Sequence, residues 1–216
     1  MKILIFDTET SGLPEDRNAS IVSTEKWPYI LQLSYMLYDT SNNELIEYSD
    51  KLVKIPYFVY ISPESEKIHK ITREKCYKEG VDIEKLLHDF NRVLTKTDLI
   101  IGHNIEFDKK ILMVEFIRNK IPHKFYINNI QIPYFCTMQK GKALCNLTFK
   151  TYDGRIIPKS PKLIELYRHF FNDEPNGLHN SLIDTIVCLR CYYKMQFDLD
   201  IFECCIAVKD LFNKSQ

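Results

Sequence analysis

The sequence predicts an α/β fold, a mixed sheet flanked by helices, on three observations. Strand-like runs stand together at the amino-terminal end, helical periodicity takes over after about residue 62, and one further strand-like run, Asp98 to Gly102, interrupts the helices. Strands first, then helices interleaved with one more strand, argue for a single sheet covered by helices. A chain of 216 residues with no linker-like stretch has the size of one domain, so residues 1–216 are expected to form one unit.

Lys2 to Phe6 (KILIF) reads as a buried strand. Ile30 to Tyr38 (ILQLSYMLY) reads as a second, and Glu44 to Lys54 as a third, which makes the first part an antiparallel meander. Ser62-Pro63-Glu64 offers a start for a short helix through Ile68. Asp82 caps another, because Ile83, Leu86, Leu87, Phe90, Val93 and Leu94 recur at helical spacing behind it. Asp98 to Gly102 runs into a helix from Phe107 to about Asn119, whose Ile111, Leu112, Val114 and Phe116 suit burial. Asn128 to Lys142 shows no clear period. Leu147 to Ile157 reads as a hairpin, an insertion at about 145–159, with Asp153-Gly154 as a two-residue turn. Ser160-Pro161 starts a helix to Phe171, another runs from Ser181 to Tyr193, and a last one covers Ile201 to Phe212.

With 45% apolar residues, 27% charged, 6 Gly and 9 Pro, the chain is neither disordered nor fibrous. Met1 to Phe6 is broken by Lys2 and followed at once by Asp7 and Glu9, so it lacks the apolar core of a signal peptide. No stretch reaches the roughly 18 apolar residues that a bilayer span needs. Seven cysteines, an odd number, point to free thiols in a reducing compartment, and the expected location is intracellular, away from membranes. Net charge is zero, yet twelve Lys and Arg against Glu115, Asp153 and Glu165 give Lys109 to Arg168 a charge of +9, leaving −9 on the remainder. Such a bipolar chain can hold a polyanion with one part while reserving carboxylates elsewhere, although a solvated Lys-rich surface explains the charge equally well.

Three acidic segments carry the chemistry. Asp7 and Glu9, two apart at the end of an apolar strand, point to one face and could hold one cation jointly, or could simply lead into the turn at Gly12 and Pro14. Asp108 follows His103 and Asn104 at a strand-to-helix junction, where an acid is also welcomed by the helix dipole. Asp184 follows His179 at another helix start, a place where a histidine alone is usually a capping or surface residue.

Taken in order, these segments resemble the DEDDh 3′-to-5′ exonucleases, which include the proofreading epsilon subunit of bacterial DNA polymerase III and RNase T-like enzymes. Asp7, Glu9, Thr10, Gly12 and Leu13 match the family's first motif; His103, Asn104, Phe107 and Asp108 the second; His179 and Asp184 the third. Ile68, His69, Ile71 and Thr72 match a shared stretch between the first two. The tyrosine branch places its tyrosine at position 180, which here is Asn180, so the histidine branch is indicated. The resemblance spans residue 2 to about 195 and implies an RNase H-like mixed five-stranded sheet.

It also implies a two-metal-ion hydrolase that releases nucleoside monophosphates from 3′ ends with Mg2+ or Mn2+. Asp7 bridges both ions, Glu9 and Asp184 assist the one that activates water, Asp108 supports the site, and His179 removes the proton. Thr10, Leu13, His103, Asn104 and Phe107 receive the terminal nucleotide, and His69 has a weaker claim to touch substrate. The expected partner is a single-stranded 3′ end, DNA favoured over RNA, with a DNA polymerase in trans as a further one. An exoribonuclease and a non-catalytic binding subunit are the alternatives. Cys188 and Cys191, with Cys136 and Cys145, offer a rival zinc site, but the C-x-x-C sits in an apolar helical stretch where cysteine behaves as a core residue. The +9 segment is the candidate for tracking phosphates beyond the end being cut.

Overall fold

The computed structural model describes residues 1–16 and 18–216. Nine strands are present among them: β1 (Lys2–Thr10), β2 (Ile30–Asp39), β3 (Glu44–Leu52), β4 (Leu99–Gly102), β5 (Tyr126–Ile127), β6 (Ile130–Gln131), β7 (Tyr134–Cys136), β8 (Thr148–Lys150) and β9 (Ile156–Pro158). The helices are α1 (Pro63–His69), α2 (Arg73–Glu79), α3 (Ile83–Leu94), α4 (Ile105–Arg118), α5 (Thr137–Cys145), α6 (Leu163–Phe171), α7 (Ser181–Phe197), α8 (Ile201–Cys204) and α9 (Ile206–Ser215).

The main sheet has five strands in the order β3-β2-β1-β4-β7. β1 pairs antiparallel with β2, and β2 with β3, so the expected meander is present; β4 and β7 add in parallel beyond β1. The sheet is therefore mixed and five-stranded. β1 lies at its centre with both faces covered, which is why its apolar run is nearly unbroken. Alternate residues serve opposite cores. Leu4 and Phe6 pack under α3 and α4 with Phe90, Leu112 and Phe125, while Ile3 and Ile5 pack under α6 and α7 with Tyr167, Ile186 and Val187. Phe6 meets Phe90 edge-on at 5.2 Å, and each such fully buried ring contributes about 1.5–3 kcal/mol of transfer free energy. The β1–β2 register shifts between Glu9 and Thr10; irregularities of this kind bend a strand and re-aim its side chains.

Side-chain caps set most helix starts. Ser62, Thr72, Asp82, Asn180 and Asp200 each accept a hydrogen bond from a backbone N–H of the first turn. On the carboxy-terminal side, Arg190 ties three helices: it pairs with Asp200 at 2.6 Å, donates to the Tyr167 hydroxyl and lies over the rings of Phe171 and Phe202. No helix among the described residues is long and apolar enough to cross a membrane, and all seven cysteines are unpaired.

Several elements depart from expectation. The β8–β9 hairpin turns through three residues, because Thr151 and Arg155 close around Tyr152, Asp153 and Gly154, with Gly154 left-handed at φ 85°. A glycine at that last position is what a type I turn followed by a bulge requires. α6 starts at Leu163, past Ser160-Pro161; Lys162 is its N-cap, and the Lys162 N–H donates to Glu165 Oε2 at 2.7 Å. The final helix is two helices, broken at Cys205 in extended backbone. α2, β7 and α5 carry no clear sequence signal.

Candidate active site

The acids gather where β1 and β4 end. Asp7 and Glu9 share the parity of Ile3 and Ile5 and so face α7, whose first turn supplies Asp184. One carboxylate oxygen from each of Asp7, Glu9 and Asp184 lies within 4.8 Å of the others. Thr8 points the opposite way, to α4, where its N–H and Oγ1 donate to Asp108 Oδ1 at 3.1 and 2.7 Å. The fourth acid is thereby held beside the other three and oriented by the strand that carries two of them. Asn104 takes up left-handed backbone (φ 65°) to turn the end of β4 into α4.

Asp184 is fixed by its surroundings. Asn180 Oδ1 caps α7 by accepting from Leu182 N–H at 3.0 Å, and Asp184 Oδ2 accepts from the His179 N–H at 3.2 Å. Its other oxygen, Oδ1, is buried without a partner. His179 sits at φ 69°, its ring partly shielded at the surface. A non-glycine residue held there costs of order 1 kcal/mol or more, and such strain persists where the surroundings impose it; here the bond to Asp184 does.

Burial pushes every acid of the cluster upward in pKa, and repulsion adds to it at Asp7, Glu9 and Asp184. Asp7 is raised well above the carboxylate range by burial, then by Asp108, Asp184 and Glu9. Burial, then Asp184 and Asp108, lift Glu9 to about 9. Asp108 reaches about 7 because burial outweighs its bonds from Thr8, and Asp184 also reaches about 7, burial outweighing the bond from His179. Four acids that cannot all ionise near neutrality, one with a bare buried oxygen, make an all-oxygen donor set that fits a hard divalent cation such as Mg2+ or Mn2+.

Beside the acids, Leu13, Asn104 and Phe107 line a cleft of 390 Å³ together with Pro14, Trp27, Glu106 and Lys110. Three of the five residues expected at the nucleotide are thus brought together. Thr10 is buried and shapes the adjoining turn, its Oγ1 donating to Gly12 O at 2.7 Å. His103 spends both ring nitrogens on the protein, Nε2 on Pro161 O at 3.1 Å and Nδ1 on Thr137 Oγ1 at 3.0 Å, and burial lowers its pKa to about 4. It ties the end of β4 to the segments at Thr137 and Pro161 and has no free ring nitrogen for a ligand. His69 is likewise committed. Its Nδ1 accepts from the Ile71 N–H at 3.0 Å, which leaves the proton on Nε2 to donate to Thr10 O at 3.2 Å. Lys159, in the basic segment, is bound to Glu165 at 2.5 Å.

Two residues at the site escape sequence reasoning. Trp27, the chain's only tryptophan, stands in a polar loop with no periodicity to place it, yet it forms a wall of the cleft. Arg118, at the end of α4, holds that loop by donating to the carbonyls of Thr24, Trp27 and Pro28 while pairing with buried Glu115 at 2.7 Å. The rival zinc reading loses its chemistry. Cys188 and Cys191 lie inside α7 with thiols that burial pushes upward in pKa, away from the thiolates zinc requires, and the one grouping of potential ligands among the described residues is Asp7, Glu9 and Asp184.

Fold and site define an α/β protein with a carboxylate centre at the end of its central strand, a combination suited to phosphodiester hydrolysis. Residues 4–192 match the exonuclease (RNase T) family, and the chain belongs to that family. Three solved structures with the same fold are forms of E. coli exonuclease I. The complex with a dT13 oligonucleotide matches at TM-score 0.69 and 17% identity over 90% of this chain and 41% of that one. The dA16 complex gives 0.69 and 17%, and the zinc-bound single-stranded DNA complex 0.67 and 16%, each over 99% of this chain and 42% of the other. The chain thus spans under half the length of these proteins, and the likeness is one of fold, the RNase H-like sheet expected from sequence. No curated protein sequence matches the chain.

Proposed function

We propose that residues 1–216 act as a divalent-metal-dependent 3′-to-5′ exonuclease that releases nucleoside 5′-monophosphates from single-stranded ends, with DNA the preferred polymer. The observation that carries this reading is the group of Asp7, Glu9 and Asp184, with oxygens within 4.8 Å and a bare buried Oδ1 on Asp184. Two divalent cations bound there would offset the charge on the scissile phosphate and on the attacking and leaving oxygens. Asp7, Glu9 and Asp184 would hold the cations, and Asp108, fixed by Thr8, would support the site from the other side.

His179 takes the proton from the attacking water. Partial burial and then the Lys162 ammonium lower its pKa, so the imidazole is neutral and ready to accept near pH 7. Its main-chain N–H donates to Asp184, which ties this residue to the loop that opens α7 next to the acids. The 390 Å³ cleft receives the terminal nucleotide, with Leu13, 73% exposed, free to pack against the base across from Phe107. Thr10 shapes the turn that leads to Leu13, and His103 fixes the strand end that precedes Asn104. The preference for DNA is supported by the oligodeoxynucleotide complexes of exonuclease I, which shares the fold.

The test is a time course with purified protein, Mg2+ or Mn2+, and 5′-labelled single-stranded DNA, mismatched duplex and RNA of one sequence. A ladder shortening from the 3′ end, fastest on single-stranded DNA, is expected. Faster shortening of RNA assigns the enzyme to RNA ends, and intact substrates with either metal refute the reading.

A further inference from the structure

Between α5 and α6 the chain projects as the β8–β9 hairpin. Its cross-strand pairs are Thr148 with Pro158, Phe149 with Ile157 and Lys150 with Ile156, and all six side chains are exposed. Phe149 is 46% exposed and Ile156 72%, while Tyr152 stands fully in solvent at the tip. A two-stranded ribbon with water on both faces is marginal by itself, and clustered apolar side chains left in water mark an interaction surface.

Charge selects the occupant. Lys150 on the hairpin, with Lys140 and Lys142 on the preceding helix, forms no ion pair among the described residues. The one acid within the hairpin, Asp153, is already bound by Arg155 at 2.7 Å. Unpaired ammonium groups interleaved with exposed rings are what single-stranded nucleic acid needs, phosphates on the cations and bases on the rings.

The hairpin is also rooted at the site. α5 begins directly after β7, whose Cys136 pairs with Gly102 at the end of β4. The base of the hairpin closes through the Lys159 N–H to Leu147 O at 2.8 Å, and two residues later Pro161 O accepts from His103, the neighbour of Asn104 in the cleft wall. Five residues of extended chain place the tip roughly 15 Å from that base.

We propose that the β8–β9 hairpin, with Lys140 and Lys142, is an arm that grips single-stranded nucleic acid upstream of the 3′ end being cut. Phe149 and Tyr152 stack on bases, and Lys140, Lys142 and Lys150 meet phosphates. The proposal rests on the exonuclease reading above and adds a hold on strands too long for the cleft alone.

Two variants test it, Lys150→Glu with Tyr152→Ala, and Lys140→Glu with Lys142→Glu, all at exposed positions. Each is assayed on a single-stranded DNA 20-mer and on the p-nitrophenyl ester of thymidine 5′-monophosphate, which is too short to reach the arm. Binding of the 20-mer is measured separately by fluorescence anisotropy in EDTA at 50 and 200 mM salt. KM for the 20-mer should rise about 10-fold or more, and fewer nucleotides should be removed per encounter. Ester hydrolysis should match wild type, and the salt slope of 20-mer binding should flatten by about 0.7 for each phosphate that no longer meets a lysine. Wild-type 20-mer affinity in both variants overturns the arm and leaves the hairpin to a protein partner. Equal losses on ester and 20-mer overturn it too, by assigning these residues to the active centre. A wild-type protein inert toward both substrates sinks the exonuclease reading, while the EDTA binding data still judge the arm.

Discussion

Replacing Glu9 with Gln should make the metal-free protein more stable and the metal-loaded enzyme inactive. The folded protein lifts the Glu9 pKa from 4.5 to about 9. At pH 7.5 the unfolded chain ionises this group and the folded one does not, so ionisation favours unfolding by up to 3 pH units, about 4 kcal/mol. Glu9 is only partly buried and shares its repulsion with three neighbours, so the neutral isostere should recover about 1–3 kcal/mol. For a chain of this size that is a rise of about 2–12 °C in Tm. The sign fixes the pH window. A group with a raised folded pKa adds stability below its unfolded pKa and loses it as pH climbs to the folded value. Wild type and Glu9→Gln should therefore melt together near pH 4 and diverge up to about pH 9. In 10 mM Mg2+ the gap should close or reverse, because a site with a Kd of about 0.1 mM would stabilise wild type by about 2.7 kcal/mol and the variant by much less. Scanning calorimetry in EDTA and in Mg2+ across that pH range, with nuclease assays alongside, checks each step. A variant that melts below wild type in EDTA at pH 7.5, or a gap that ignores pH, refutes the claim that the acids repel one another.

If His179 is the base proposed above, His179→Ala should lower kcat by about 10²–10⁴ with metal affinity nearly unchanged; as its pKa is lowered by burial and Lys162, the wild-type rate should fall only below the ordinary histidine range, and the variant should lose most of this limb in a pH–rate profile. Arg118→Met should cost about 3–5 kcal/mol in urea unfolding by stranding the buried Glu115 carboxylate, and adding Glu115→Leu should restore part of it. Gly80→Ala should destabilise by about 1–3 kcal/mol or more, because a Cβ there would lie 2.2 Å from Cys76 O and 2.5 Å from Lys54 N; unchanged melting would show that α2 can move away from β3.

That Asp7, Glu9, Asp108 and Asp184 would gather was legible because an acidic cluster restricts residue type, and the spacing of three short segments could be read without knowing the fold. Helix α3 was legible for a physical reason of its own, a capping Asp82 ahead of an unbroken apolar stripe. β7 was not, since its three residues follow a proline and leave Tyr134 exposed at the sheet edge. α5 was hidden by Gly141, which lowers helix propensity but allows close packing, its absent Cβ lying 2.8 Å from Leu166 Cδ1. His103 looked like a ligand-facing residue because sequence cannot show that Pro161, 58 positions on, would claim its Nε2. Trp27 and Arg118 act through tertiary contacts across 91 residues, which leave no local pattern.

The division of labour along β1 has a consequence for the life of the nascent chain. The strand carrying Asp7 and Glu9 is made about a hundred residues before Asp108, and Asp184 follows later still, so the acidic constellation stays open until α7 has been synthesised and has docked. A ribosome-bound or truncated chain lacking that helix cannot complete the site. On the proposed function, cutting activity is thus withheld until α7 has docked, and a fragment that has lost α7 is harmless to nucleic acid.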